Sequence, residues 1–136
     1  MRAVAAIAAT ALASAPLAAH EPADAQPVMI GHDGLDFDAC AGFGVVSGLN
    51  PDGDNFLAVR AAPTTQASKM DELREGEEVW FCDGTADQQW IGIVYGSNRE
   101  PGVDCEVSSP VPNVVPYIGP CRSGWVSARY VTLIAG

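Results

Sequence analysis

Apolar and polar residues alternate in two stretches near the middle of the chain. Leu57 and Val59 are separated by one small residue, and Val79 and Phe81 repeat this spacing further on. A period of two is typical of a strand that buries one face. The pattern therefore predicts two strands that bracket a turn-rich link. Gly76 precedes the second strand, where glycine can take the positive φ of a tight bend.

Residues 40–46 and 89–95 predict two more strands because both are rich in small, β-branched and aromatic residues. The glycines of residues 40–46 allow a second backbone to approach closely. Apolar residues occupy both faces of residues 89–95. We expect one face to line the core, and the other, which carries Trp90, to be covered by a loop or left for a ligand.

The end of the chain predicts a strand, a short 3₁₀ turn at Ser127–Arg129 and a closing strand within residues 124–134. Between the two central strands, only Gln66–Glu72 is compatible with a helix. A run this short sustains a single helical turn at most. The sequence therefore favours an all-β domain.

Residues 1–25 have the features of a secretory signal peptide. Arg2 precedes an Ala-rich apolar run, and Ala23-Asp24-Ala25 fits a small-x-small cleavage site. A membrane anchor is the alternative, but the run is short for the ~20 residues that a bilayer requires. Cleavage before Gln26 leaves about 111 residues, the usual size of one domain. We therefore predict a periplasmic or secreted protein with no membrane insertion after cleavage.

The predicted mature chain divides into two parts. Residues 26–39 are polar and without periodicity, which indicates a flexible leader, and residues 40–136 form the domain. Within the domain, residues 96–123 contain five of the ten prolines and two of the four cysteines. A loop this long is uncommon in a compact domain unless it is cross-linked or functional. We interpret it as an insert.

The charge of the chain limits its partners. Removal of Arg2, Glu21 and Asp24 with the leader takes seven basic and seventeen acidic residues to six and fifteen, a net charge of -9. Nucleic acids and anionic lipids require basic patches, so neither is an expected partner. A neutral or cationic partner fits better, although acidity also serves solubility alone.

Four cysteines in an exported chain predict two disulfides. Three connectivities are possible, of which we favour Cys40 with Cys82 and Cys105 with Cys121. Zinc is a weak alternative because no two cysteines form a Cys-x-x-Cys pair and the mature chain has only His32. We predict no metal and no cofactor.

Residues 50–55 predict a solvated turn. Asn50, Asp52 and Asp54 fall on alternate positions, as in the start of an EF-hand loop. The glycine is at the fourth position instead of the sixth, and Ala61 stands where a glutamate would be required. The turn is therefore the preferred interpretation over calcium binding.

Four motifs resemble bacterial SH3-like (SH3b) domains. They are Leu57-Ala58-Val59-Arg60 with Pro63, Leu73 with Glu75-Gly76-Glu77 before Val79-Trp80, Trp90 with Val94, and Gly124-Trp125-Val126 before Ser127-Ala128-Arg129-Tyr130-Val131. The resemblance spans residues 45–131. It implies a small five-stranded barrel that acts as an accessory module and docks onto cell-wall peptides or other proteins. The insert departs from the family pattern, and Ser127 and Ala128 stand where a groove proline is expected.

No catalytic motif is present in the sequence. A cysteine peptidase requires a histidine beside a thiolate, but His32 lies in the predicted leader and the thiols are expected to be in disulfides. Glu77 and Glu78 are consecutive strand residues that point to opposite faces, so they do not form a catalytic pair. Arg60 is expected to bind a carboxylate or carbonyls at the end of its strand. We predict that the protein is not an enzyme.

The candidate ligand-binding residues are Trp90, Tyr130, Asp52 and Asp54. Large amphipathic side chains anchor ligands, and the two carboxylates could meet a cationic group beside them. This combination predicts recognition of an extended, basic or amine-bearing peptide or a cell-wall (peptidoglycan) component. The alternative is a structural or assembly module whose Pro-rich insert contacts another exported protein.

Overall fold

The computed structural model describes residues 2–12, 22–96 and 103–136 of the chain. Residues 1 and 13–21 of the predicted signal peptide and residues 97–102 of the predicted insert lie outside the described residues. The described residues contain nine strands, one 3₁₀ turn and no α-helix, which confirms the all-β class. The strands are β1 (Met29–Ile30), β2 (Gly42–Val46), β3 (Leu57–Arg60), β4 (Lys69–Leu73), β5 (Glu78–Gly84), β6 (Trp90–Tyr95), β7 (Val115–Pro116), β8 (Arg122–Ser127) and β9 (Val131–Ala135).

Seven of the strands form one antiparallel sheet in the order β4-β3-β8-β6-β5-β2-β9, and β1 pairs with β7 in a second, two-stranded sheet. The 3₁₀ turn, Ala128–Tyr130, connects β8 to β9 and begins one residue later than predicted. Two glycines have the roles expected of them. Gly76 has φ +83° in the bend before β5, and a Cβ on Gly44 would collide with the Thr132 carbonyl of the neighbouring β9.

Both faces of the central strands are buried. Ile93 and Val94 are adjacent on β6 and point to opposite sides, yet both are fully buried, as are Trp125 and Val126 on β8. Ile93 and Val126 belong to a cluster supplied entirely by strands, which we call the strand cluster: Val46, Leu57, Val59, Leu73, Val79, Ile93, Tyr95 and Val126. The burial predicted from alternation is thus confirmed for Leu57 and Val59 on β3 and for Val79 on β5. Phe81 is only partly buried and packs against the same cluster, next to a register shift between Phe81 and Asp83.

The opposite face of β6 and β8 is covered by segments outside the seven-stranded sheet. The side chains on this face, which we call the cover cluster, are Val28, Ile30, Ala39, Cys40, Cys82, Val94, Cys105, Val107 and Trp125. They include residues from the predicted leader and from the predicted insert. The second apolar face of β6 is therefore covered by loops, which is one of the two outcomes that its sequence predicted.

Residues 26–39 differ from the flexible leader that their composition predicted. Val28 and Ile30 are buried in the cover cluster, and β1 pairs with β7. The backbone N–H of Tyr117 also donates to the carbonyl oxygen of Val28, at 2.9 Å. The segment shows no periodicity because its strand has only two residues. Its partners come from the insert, about eighty residues further along the chain.

Strand β4 replaces the predicted helical turn at Gln66–Glu72. It pairs antiparallel with β3, with Leu57 opposite Leu73. A helix this short forms too few hydrogen bonds to offset the free-energy cost of nucleation. The edge of β3 instead offers backbone N–H and carbonyl groups with which β4 pairs. The strand reads as polar because it is an edge strand, on which exposed charges such as Lys69 hinder further pairing.

The two disulfides join the pairs that the sequence analysis favoured. Cys40 is bonded to Cys82, and Cys105 to Cys121. Two disulfides indicate an oxidising compartment outside the cytosol. Within the described residues, no helix combines the length and the apolar character that crossing a bilayer requires.

Tyr117 connects the two ends of the loop that the Cys105–Cys121 disulfide closes. Its hydroxyl donates to the carbonyl oxygen of Cys105 at 2.9 Å and accepts from the N–H of Cys121 at 3.0 Å. Burial raises the pKa of the Tyr117 hydroxyl, opposed by the hydrogen bond from Cys121 and aided by the carboxylates of Glu106 and Asp104. The protonated hydroxyl is therefore the form that the fold favours.

A Tyr117→Phe variant is expected to be less stable than the wild type by about 1 kcal/mol at pH 8, because both hydrogen bonds are lost. The difference in unfolding free energy between the two proteins should be constant at pH values below the pKa of tyrosine in the unfolded chain, which is about 10. Because the folded pKa is raised, this difference should decline as the pH rises further. Urea denaturation of both proteins between pH 8 and 11 measures the difference. A difference that grows with pH would contradict the assignment.

Candidate ligand-binding site

A surface cavity of about 450 Å³ lies where the ends of several strands meet. We call it the aromatic cavity. Its principal lining residues are Asp54, Phe56, Arg60, Lys69, Trp90 and Tyr130. Three of the four residues that the sequence analysis selected, Asp54, Trp90 and Tyr130, thus line one cavity although they come from positions up to 76 residues apart.

Strand pairing brings the two large aromatic residues together. Trp90 begins β6 and is paired with Ser127 at the end of β8. The 3₁₀ turn that ends in Tyr130 follows directly, and the N–H of Ala128 donates to the carbonyl oxygen of Gln89 at 2.9 Å. The start of β6 and the turn are therefore held side by side, each contributing one aromatic side chain to the cavity.

The turn before Trp90 is fixed by a small hydrogen-bond network. The Thr85 hydroxyl donates to the Asp87 carboxylate at 2.6 Å, and the N–H of Gln89 donates to the same oxygen at 3.0 Å. The N–H of Trp90 in turn donates to the Thr85 hydroxyl at 3.2 Å. The hydrogen bond from Thr85 is the main reason why the pKa of Asp87 is lowered. The network is therefore intact at neutral pH and weakens as acid protonates Asp87.

Phe56 forms another wall of the cavity and already has cations beside it. The Lys69 Nζ lies 5.0 Å from the centre of its ring, and the Arg74 guanidinium lies 5.7 Å away. These distances are in the range of cation–π attraction. Sequence reasoning missed Phe56 as a site residue. The only available signal was its position between Asp54 and the first residue of β3.

The acidic part of the predicted site is smaller than expected. Asp54 lines the cavity, whereas Asp52 is absent from its lining. Asp52 instead belongs to a local turn, in which its N–H donates to the side-chain oxygen of Asn50 at 3.0 Å. Among the described residues, no group of three or more His, Cys, Asp or Glu side chains is arranged to hold a metal ion.

Trp80 and Trp125 lie away from the cavity. The indole N–H of Trp125 donates to the carbonyl oxygen of Gln26 at 2.8 Å, and its side chain is only 1 % exposed. Trp80 packs against Phe43 with ring centroids 4.9 Å apart. Arg60 donates to the Ala67 carbonyl oxygen at 3.0 Å, so the expected contact between Arg60 and a carbonyl is confirmed.

The residues considered for thiol chemistry are engaged elsewhere. All four cysteines are in disulfides. His32 Nε2 lies 3.0 Å from the carboxylate of Asp83, on β5. The same carboxylate accepts a hydrogen bond from the N–H of Met29 at 2.9 Å, so Asp83 attaches residues 29–32 to the sheet.

The described part of the insert does not line the aromatic cavity. Cys105 and Val107 pack into the cover cluster, and β7 extends the pairing to β1. The cavity adjoins the cover cluster at Trp90, which packs against that cluster and also lines the cavity. The described residues of the insert therefore do not cover the cavity.

Comparison with protein-family models, with curated proteins and with solved structures finds no match to this chain.

Proposed function

We propose that the chain is a non-catalytic, exported binding module that holds an extended peptide or a cell-wall (peptidoglycan) component in the aromatic cavity. The observation that supports this function is the meeting of Trp90 and Tyr130, with Phe56, around one open cavity of about 450 Å³. This volume falls within the range of small-ligand sites. Large, rigid aromatic side chains also provide contact area at little cost in conformational entropy.

The fold that we propose is SH3-like, with residues 26–39 and 96–123 added to it. Two features support it: the β3–β4 hairpin next to β8, and the 3₁₀ turn between β8 and β9. In this proposal the additions cover one face of β6 and β8 and leave the ligand site free. Residues 1–25 act as the signal peptide, and the mature protein is periplasmic or secreted.

Replacing Trp90 and Tyr130 together by alanine is expected to reduce retention on purified peptidoglycan by at least about tenfold. Aromatic anchors at the centre of an interface commonly contribute 2 kcal/mol or more to binding, and about 1.4 kcal/mol corresponds to tenfold. Co-sedimentation of the mature protein with peptidoglycan measures the retained fraction. Near-ultraviolet circular dichroism checks that the variant is folded.

A Phe37→Ala variant is the matched control, because Phe37 is an aromatic residue that is 58 % exposed and is not part of the cavity. It should be retained like the wild type. Equal retention of wild type and double variant, or retention of neither, would remove the aromatic cavity as a peptidoglycan site.

The exposed apolar side chains of the insert favour a second candidate function, assembly with another exported protein. Ile118 is 93 % exposed and Val114 is 47 % exposed, on a loop held by a disulfide. An Ile118→Asp variant tests in the same experiment whether the insert contributes to retention on peptidoglycan. Loss of retention with Ile118→Asp but not with the aromatic variant would assign binding to the insert.

A further inference from the structure

The cations of this acidic protein gather around the aromatic cavity. The chain has seven Lys and Arg residues and a net charge of -10. One of the seven, Arg99, lies outside the described residues. Of the other six, four border the cavity, and they come from four separate positions along the chain: Arg60, Lys69, Arg74 and Arg129.

Two of these cations line the cavity, and the other two lie close to aromatic rings that line it. Arg60 and Lys69 are lining residues. The Arg74 guanidinium is 5.7 Å from the Phe56 ring, and the Arg129 guanidinium is 5.6 Å from the Tyr130 ring. The rings of Phe56 and Tyr130 therefore already have cationic neighbours, which makes them poor places for a cationic ligand.

The nearby carboxylates neutralise only part of this charge. Glu72 lies 2.6 Å from Lys69 and 3.5 Å from Arg74, and Asp54 lines the cavity. Within the described part of the chain, neither Arg60 nor Arg129 forms an ion pair. The Glu77 carboxylate is also close, because it accepts a hydrogen bond from the N–H of Arg74. Four cations and three carboxylates thus give the site a small positive charge, opposite in sign to the net charge of the whole protein.

Arg60 is held in position for a ligand on this face. Its Nη1 donates to the Ala67 carbonyl oxygen at 3.0 Å, which restrains the guanidinium. A guanidinium has five N–H donors, so others can still donate to a ligand. A planar guanidinium matches a carboxylate with two parallel hydrogen bonds. Lys69 adds a second positive charge at the same wall.

We infer that the aromatic cavity binds a peptide through a free carboxylate, which Arg60 and Lys69 hold while Trp90 covers the adjoining apolar part. This inference rests on the proposed function and names its ligand class. It replaces the basic or amine-bearing peptide that Trp90, Tyr130 and the two aspartates of the preceding loop suggested. A ligand with one carboxylate gains the local attraction, whereas a polyanion such as nucleic acid meets the repulsion of the whole acidic surface.

The test is a titration of the isotopically labelled mature protein with N-acetyl-glycyl-glycine and, separately, with its C-terminal amide, followed by nuclear magnetic resonance. The carboxylate form should shift the Trp90 indole N–H resonance and the amides near Arg60. The amide form should bind about tenfold more weakly, because a charge-assisted hydrogen bond is lost.

Three variants provide the controls. Lys69→Gln should weaken binding of the carboxylate form about tenfold, and Asp54→Asn should strengthen it, because a negative charge is removed from the cavity. Arg122→Gln removes the same charge outside the cavity, where Arg122 pairs with Asp71 at 3.3 Å, and should have no effect. Each variant keeps a side chain of similar length, so its resonances report whether the fold is intact.

Equal affinity for the two peptides, no shift with the carboxylate form, or weakening by Asp54→Asn but not by Lys69→Gln would overturn the inference. The peptides contain no cell-wall sugar, so the result is independent of retention on peptidoglycan. A protein that binds the carboxylate peptide but not peptidoglycan would retain this site and lose the cell wall as its partner. Retention on peptidoglycan without peptide binding would keep the cell wall as the partner and remove the carboxylate site.

Discussion

Replacing Cys40 and Cys82 together by alanine is expected to lower the free energy of unfolding by about 4 kcal/mol, from the chain entropy released when a loop of this length is opened. The disulfide joins residues 42 positions apart. It also attaches the segment before β2 to β5, with both cysteines buried in the cover cluster. Most single domains are stable by only 5–15 kcal/mol, so the variant should unfold at a much lower urea concentration.

The second disulfide provides the comparison. Cys105 and Cys121 are 16 positions apart, and the same entropy argument gives about 3 kcal/mol for their replacement by alanine. Urea denaturation of both double variants measures the order. If removal of the Cys105–Cys121 bond proved the more damaging, loop entropy would not be the main contribution. Packing of the insert against the sheet would then be the larger one.

The sequence predicted the sheet best where burial alternates along the chain itself. Leu57, Val59 and Val79 are buried in the strand cluster as their spacing indicates, and the disulfide pairs followed from which segments they could join. Strand β4 was missed because edge strands carry polar and charged residues, which prevent pairing with another chain. Its pattern is set by the solvent and by β3, and no local rule distinguishes it from a short helix.

The role of residues 26–39 could not be predicted from their own composition. Val28 and Ile30 are buried because β7 and the disulfide-closed loop cover them. That contact joins segments far apart in sequence, and each of the two paired strands has only two residues, too few to show a period. The same reasoning explains why the second apolar face of β6 allowed two interpretations. Only the position of the insert decides between a covered face and a ligand site.

The candidate site was predictable in its aromatic residues and not in its charge. Trp90 and Tyr130 are large side chains at strand boundaries, which made them visible as candidates. Arg60, Lys69 and Arg129 are separated by as many as 69 positions, and each looks like an ordinary surface cation. Their meeting depends on β3, β4 and the 3₁₀ turn lying side by side. The overall acidic composition therefore does not indicate that these cations lie together at the cavity.

The cavity and the cover cluster share β6 and β8 as a common support. Trp90 begins β6, and Val94 on the same strand lies in the cover cluster. Trp125 on β8 is paired with Arg60 of β3, which lines the cavity. Loss of packing under the insert should therefore loosen the strands that position the ligand-binding side chains. Variants with substitutions in the cover cluster must therefore be shown to be folded before their ligand binding is compared with that of the wild type.

Replacing Trp125 by alanine is expected to cost about 4 kcal/mol of unfolding free energy, the usual range for removing a large buried aromatic side chain. Trp125 is among the largest fully buried side chains of the described residues. Its indole N–H also donates to the carbonyl oxygen of Gln26 at 2.8 Å. This acceptor is retained if cleavage occurs before Gln26, so the contact should persist in the mature protein.

A Trp125→Phe variant separates the hydrogen bond from the packing. It keeps an aromatic ring in the cover cluster and loses the donor to Gln26, so we expect a smaller loss of about 1–2 kcal/mol. Gln26 is held at its other side by the hydrogen bond from its N–H to the Ala61 carbonyl oxygen, at 2.8 Å. Hydrogen exchange at the Tyr117 amide, which donates to the carbonyl oxygen of Val28 at 2.9 Å, should therefore accelerate in the variant. Wild-type exchange at the Tyr117 amide, together with wild-type stability in urea, would show that Trp125 does not hold residues 26–28 against β8.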